Sequence, residues 1–180
     1  MIFSSLDLTP ELQQALDNCG YSEMTAIQEQ AIIPARRGKD ILANAQTGTG
    51  KTAAFSIHIF QKMSDNPIPT VTGEPRALIL TPTRELAEQL EETIKRYAQF
   101  LPLSINALYG GVKLSTQEKK LKAGIDIVIA TPGRLLEHMD KGSVKLSGVE
   151  FVVLDEADRM LDMGFISDVN ALLDKTPVKR

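Results

Sequence analysis

The chain has 180 residues with 20 basic and 23 acidic side chains, a formal charge of −3, and is 43% apolar and 24% charged, which describes one globular domain that buries its own core without a staple. One cysteine, Cys19, precludes an intrachain disulfide, and two histidines with no cysteine cluster argue against structural zinc. No apolar run approaches the roughly 18 residues of a membrane span and residues 1–8 carry no secretory signal, so a cytoplasmic protein without membrane contact is expected, and mild acidity weighs against a dedicated nucleic-acid binder.

Residues 8–18 place Leu8, Leu12, Ala15 and Leu16 at helical spacing, with Thr9 as N-cap and Pro10 opening the helix. Residues 25–36 repeat the pattern through Ile27, Ala31 and Ile32. A short strand is expected over residues 40–44, then a glycine-rich turn and a helix to about Met63. Residues 67–75 hold three prolines and Gly73 and read as a loop. Further strands are expected over 77–81, 104–109, 125–130 and 151–155. Between and after them come a long helix over about 84–100, a helix from Thr131 to about Asp140, and helical segments to Asp174. Lys119, Lys120 and Lys122 read as a solvated helix end. The strands are nearly continuous apolar runs, as in a parallel sheet covered on both faces. Ligands bind such sheets at the carboxyl ends of the strands, where the distinctive residues of this chain cluster.

Residues 45–52, Ala45, Gln46, Thr47, Gly48, Thr49, Gly50, Lys51 and Thr52, sit between a strand and a helix, the setting of a phosphate-binding loop. Successive backbone N–H groups and the helix N-terminus can wrap a phosphate chain. Lys51 would reach the β- and γ-phosphates, and Thr52 would offer its hydroxyl to Mg²⁺. The first position is Ala45 where the common pattern has Gly. Asp155 and Glu156 end an apolar strand. The first can hold the Mg²⁺, usually through water, and the second can orient or deprotonate the attacking water. Together these features point to a nucleoside triphosphatase, with a non-catalytic binding module as the alternative from another class.

The run Asp155, Glu156, Ala157, Asp158 resembles motif II of the DEAD-box ATP-dependent RNA helicases, and the likeness extends from about Phe3 to the end of the chain. Residues 20–28 resemble the Q motif, with Phe3 as its isolated upstream aromatic. Residues 45–52 match motif I, 82–87 motif Ia, Gly110 and Gly111 the double glycine, and 131–134 motif Ib. Residues 159–165 and the stretch from Val144 to Leu146 look most like the bacterial RhlE group.

The resemblance implies an α/β RecA-like P-loop domain, with a mostly parallel sheet and helices on both faces. It would fill the whole chain, residues 1–36 forming a helical Q-motif region and 37–180 the core. Gln28 would read adenine, Tyr21 would stack on the base with Phe3 packed nearby, and Thr25 would support the phosphate loop. The family usually has Pro, which fixes the entry to the helix, where this chain has Met24, and its loss is expected to loosen the loop and weaken the grip on adenine. Pro82, Thr83, Arg84, Gly110, Gly111, Thr131, Pro132, Gly133 and Arg134 would hold single-stranded or duplex RNA by its sugar–phosphate backbone. Asp158 would couple to a second RecA-like domain. A Ser-Ala-Thr motif and that second domain, with its arginine fingers, would lie beyond Arg180. The expectation is therefore a domain that binds ATP and Mg²⁺, hydrolyses slowly and does not unwind RNA alone.

Overall fold

The computed structural model describes residues 1–178. Two compact units are present, one of Met1–Ile68 with Thr93–Pro102, the other of Pro69–Glu92 with Leu103 onwards.

The first unit is helical. A short 3-10 turn, Phe3–Leu6, precedes α1 (Pro10–Asn18), α2 (Ala26–Arg36) and α3 (Lys51–Asp65). Pro10 occupies the first turn of α1, where a missing N–H costs nothing. Thr9 stands at the N-cap without a side-chain cap bond, and its hydroxyl is buried without a partner. Its backbone N–H donates instead to Gln61 Oε1 at 3.0 Å. Leu12, Ala15, Leu16, Ile32, Ile57, Phe60 and Met63 bury the apolar faces of these helices.

The strand expected over residues 40–44 does not form. Asp40, Ile41, Leu42, Ala43 and Asn44 are exposed, Leu42 completely. An apolar run becomes a strand only when a ladder satisfies its backbone, and no ladder pairing includes these residues among those described.

The second unit is a four-stranded parallel sheet. Its strands are β1 (Ala77–Leu80), β2 (Ile105–Leu108), β3 (Ile127–Ala130) and β4 (Phe151–Leu154), in spatial order β2-β3-β1-β4. Leu78 pairs with Val128 on one side and Val152 on the other, while Val128 pairs with Asn106. Leu78, Leu80, Val128 and Ala130 join a core cluster with Leu121, Leu135, Val169 and Leu172. The alternate residues Ile79, Ile127 and Ile129 are at most 1% exposed, so both faces of the central strands are covered, as their unbroken apolar sequence requires. Between and after the strands come α5 (Leu114–Lys122), α6 (Pro132–Asp140), α7 (Ala157–Asp162) and α8 (Ile166–Leu173); α4 (Arg84–Tyr97) follows β1. Lys119, Lys120 and Lys122 occupy the last turn of α5, as expected of a solvated helix end. Among the described residues no helix is long and apolar enough to cross a membrane.

Candidate functional site

The loop expected to bind phosphate lies in the first unit and is tied to α2 by hydrogen bonds. Thr25 caps α2 in a reciprocal box: its hydroxyl accepts from Gln28 N–H, and Gln28 Oε1 accepts from Thr25 N–H at 2.9 Å. The same two side chains reach the loop. Thr25 Oγ1 donates to the Thr49 carbonyl at 2.8 Å, and Gln28 Nε2 donates to the Gly50 carbonyl at 3.3 Å. Gln28 is fully buried. Its amide retains one further N–H and a second lone pair on Oε1.

Gly48 and Gly50 have φ of +83° and +89°, where side chains are strained. At Gly50 a Cβ would also stand 2.3 Å from Gln28 Nε2. Lys51 folds back so that Nζ donates to the Ala45 carbonyl at 2.7 Å, and Thr49 Oγ1 donates to Gln46 O at 2.7 Å. Gln46, Thr47 and Gly48 are exposed, and Thr52 is half-buried in the first turn of α3. The α3 N-terminus has Gly50 at its cap and no side-chain cap bond. Its first-turn N–H groups lack intrahelical acceptors and carry the positive end of the helix dipole, which suits a phosphate.

Phe3, Tyr21 and Tyr97 form a chain of edge-to-face rings. Centroids are 5.7 Å apart for Phe3–Tyr21 and 5.6 Å for Tyr21–Tyr97, and the two tyrosine hydroxyls lie 2.8 Å apart. Burial first, and then this hydrogen bond, push the Tyr97 phenol well above its ordinary range. Phe3 is fully buried and Tyr21 half-buried. The segment around Met24 is tied by backbone hydrogen bonds. Met24 N–H donates to the Met1 carbonyl at 2.8 Å, a bond Pro could not make, and Phe3 N–H donates to Ser22 O at 3.0 Å. The Met24 side chain is buried, so the approach to α2 is held by chain pairing instead of a fixed φ.

In the second unit Asp155 closes β4, its N–H donating to Leu80 O at 2.9 Å. Glu156 then sits at φ 56°, ψ 44°, left-handed backbone rarely used by non-glycine residues, and stands at the N-cap of α7. Asp158, one residue into that helix, is exposed.

The motif Ia, double-glycine and motif Ib residues collect after β1, β2 and β3. Thr83 Oγ1 accepts from Leu86 N–H, which leaves its own proton free to donate. Thr131 makes no cap bond at α6. Pro82 and Pro132 are buried, while Gly110, Gly111 and Gly133 are exposed. The Arg84 guanidinium lies 5.4 Å above the Tyr109 ring, and Nε donates to Glu88 at 2.9 Å. A Cβ at Gly111, where φ is +83°, would stand 2.7 Å from Arg84 Nη1. Glu88 is held below its ordinary carboxylate range, chiefly by Arg84 and also by a bond with Tyr109. Arg134 turns inward: Nη1 donates to Val112 O at 2.6 Å, and Nε pairs with Glu137 at 2.8 Å.

Sequence reasoning did not single out Gln117, His138 or Tyr109, each of which touches this edge. The available signal was modest: His138 stands four residues after Arg134 and so shares its helix face.

The DEAD/DEAH box helicase family profile matches residues 25–180. The DEAD-box ATP-dependent RNA helicase CshA of Streptococcus pneumoniae is 41% identical over 180 residues, covering 100% of this chain and 33% of that protein. The ATP-dependent RNA helicase RhlB of Pseudomonas syringae is 44% identical, covering 98% of this chain and 45% of that protein. The crystal structure of a hypothetical ATP-dependent RNA helicase from Sulfolobus tokodaii superposes with a TM-score of 0.86 at 34% identity, over 96% of this chain and 48% of that one. The chain thus spans a third to a half of these relatives. Its fold is that of a RecA-like helicase domain, and the chain belongs to the DEAD/DEAH box helicase family.

Proposed function

We propose that the two units together form the N-terminal RecA-like domain of an ATP-dependent RNA helicase acting in the cytoplasm, and that ATP is its substrate. The observation that carries this reading is the uncapped start of α3 behind Gly48 and Gly50, with Lys51 at its first position and Gln28 latched to the same loop. Orphan N–H donors, two glycines without side chains and a lysine fit a phosphate chain. Gln28 uses its remaining amide groups on adenine, Tyr21 offers its ring to the base, and Phe3 backs Tyr21. The Thr52 hydroxyl and Asp155 carboxylate are hard oxygen donors that fit Mg²⁺, which supplies charge neutralisation when bound. Lys51 leaves Ala45 O for the phosphates. Glu156 orients the attacking water and accepts its proton while the bond from the γ-phosphorus to ADP breaks.

On the other edge the exposed N–H groups of Gly110, Gly111 and Gly133, the hydroxyls of Thr83 and Thr131 and the charges of Arg84 and Arg134 suit an RNA backbone. Such contacts carry no base information, so binding is independent of sequence, and a few placed donors reconcile RNA binding with a charge of −3. Glu88 holds Arg84 until a phosphate replaces it. Asp158 couples to a second RecA-like domain, without which hydrolysis is slow and duplexes are not opened. Within the family, the spelling of residues 159–165 supports a place nearest the RhlE group.

The test is ATP hydrolysis by the intact gene product with RNA, with DNA of the same sequence, and with neither. Stimulation by RNA alone supports the proposal. Equal stimulation by DNA, or by neither, overturns the RNA assignment. A GTPase as active as the ATPase overturns the role of Gln28.

A further inference from the structure

Behind the Gly110–Gly111 turn one side chain gathers three partners. Gln117, on α5, is 3% exposed. Its Nε2 donates to Tyr109 O at 3.0 Å. Its Oε1 accepts from Arg134 Nη1 at 3.2 Å and from His138 Nε2 at 2.8 Å. Arg134 Nη1 also donates to Val112 O at 2.6 Å. The residues flanking the two glycines are therefore each fixed by a carbonyl bond, and the two donors meet at a single amide.

The partners leave little choice of state. A flipped Gln117 amide would set oxygen against the Tyr109 carbonyl and an NH₂ group against the guanidinium. With Oε1 facing it, His138 must carry its proton on Nε2. His138 is fully buried and its Nδ1 has no partner, a cost that an apolar residue in its place would avoid. A core that needed only volume there would be served by apolar groups. What the polar set supplies is direction, and its targets are the turn and Arg134.

We propose that Gln117, backed by His138, is a positioning residue for RNA: it sets the Gly110–Gly111 turn and the Arg134 guanidinium in the arrangement that meets the RNA backbone. This rests on the reading of that turn as an RNA site. Gln117 does not touch RNA; it acts through Tyr109, Val112 and Arg134.

The experiment compares Gln117→Glu, Gln117→Met and Gly111→Ala in the intact gene product. RNA affinity is read by fluorescence anisotropy of a labelled single-stranded RNA, ATP affinity by titration with a fluorescent ATP analogue. Gln117→Glu keeps the acceptor but opposes an oxygen to Tyr109 O; Gln117→Met keeps length and removes every bond. Each is expected to weaken RNA binding about five- to tenfold. ATP affinity, and kcat at saturating RNA, stay within twofold. An RNA affinity within twofold of the parent in both variants overturns the proposal, as does an equal loss of ATP affinity, which marks a general packing role. If one variant does not fold, the other decides. Gly111→Ala separates the two readings: when it weakens RNA binding and the Gln117 variants do not, the positioning role alone fails; when it also has no effect, the RNA site fails and takes the proposal with it.

Discussion

The loops at 45–50 and 109–112 are held by opposite means. The first is suspended from a helix: Thr25 and Gln28, the two halves of the α2 cap, grip Thr49 and Gly50 by their carbonyls, and Lys51 closes on Ala45. The second follows β2, which is paired in register with β3, and is braced from behind by a buried side-chain network. A loop hung on a cap can respond when the cap residues turn to a base. A loop rooted in a sheet is set before its ligand arrives. Nucleotide sensing therefore suits the first arrangement and passive backbone binding the second.

The largest effect is expected from the suspended loop. Lys51→Ala should lower RNA-stimulated kcat of the intact gene product by about 10²–10³-fold, the scale for one group aimed at developing phosphate charge. A rate within threefold would remove Lys51 from that role. Next comes the latch. Gln28→Ala strands the Thr25 N–H and the Gly50 carbonyl, costing about 1–3 kcal/mol and raising the KM for ATP, while RNA affinity without nucleotide is unchanged. Thermal melts and ATP titrations check it, and an unmoved KM would sever latch from loop.

The sheet-rooted loop should answer to pH. Burial first, and then the charge of Arg134, hold the His138 imidazole below its ordinary value of 6.5. On acidification the unfolded chain takes up that proton before the folded one. The stability tied to neutral His138 is complete above 6.5 and is lost as pH falls below it, at no more than about 1.4 kcal/mol per pH unit. Urea unfolding at about pH 8 and about pH 5.5 should show a smaller loss for His138→Gln than for the parent. Equal losses would mean that His138 does not report on the network. The smallest effect is expected from Glu88→Gln. It loosens Arg84 and should tighten RNA binding about twofold at low salt, fading as salt rises. Weaker binding would show that Glu88 orients Arg84 instead of occupying it.

The sequence makes the sheet easy to read and its supports hard. β1 and β3 are buried on both faces, and an unbroken apolar run is what such burial demands. Residues 40–44 hold a shorter apolar stretch, Ile41 to Ala43, and form no strand, because a ladder depends on a partner that composition does not contain. Threonines precede four helices at Thr9, Thr25, Thr83 and Thr131; Thr25 and Thr83 each accept from an N–H of the first turn, yet only Thr25 makes the reciprocal box. It alone has glutamine three residues on, where Thr9 has Leu12 and Thr131 has Arg134. The positions of the motif residues after β1, β2, β3 and β4 were legible as strand ends, while residues 45–52 were legible only from their glycines and lysine, since among the described residues no strand precedes them. Gln117 was not legible, since its bond to His138 spans 21 residues and links two helices with no shared periodicity.

Glu156 carries a consequence for anyone selecting hardier versions of this protein. Its backbone lies where glycine is at ease and glutamate is strained by about 1 kcal/mol. Glycine at that position should therefore survive heat better, and a library sorted by melting temperature would enrich it. The same substitution deletes the carboxylate assigned to the attacking water. Durability and turnover are opposed here at a single peptide unit, and only a sort on phosphate release would keep the glutamate.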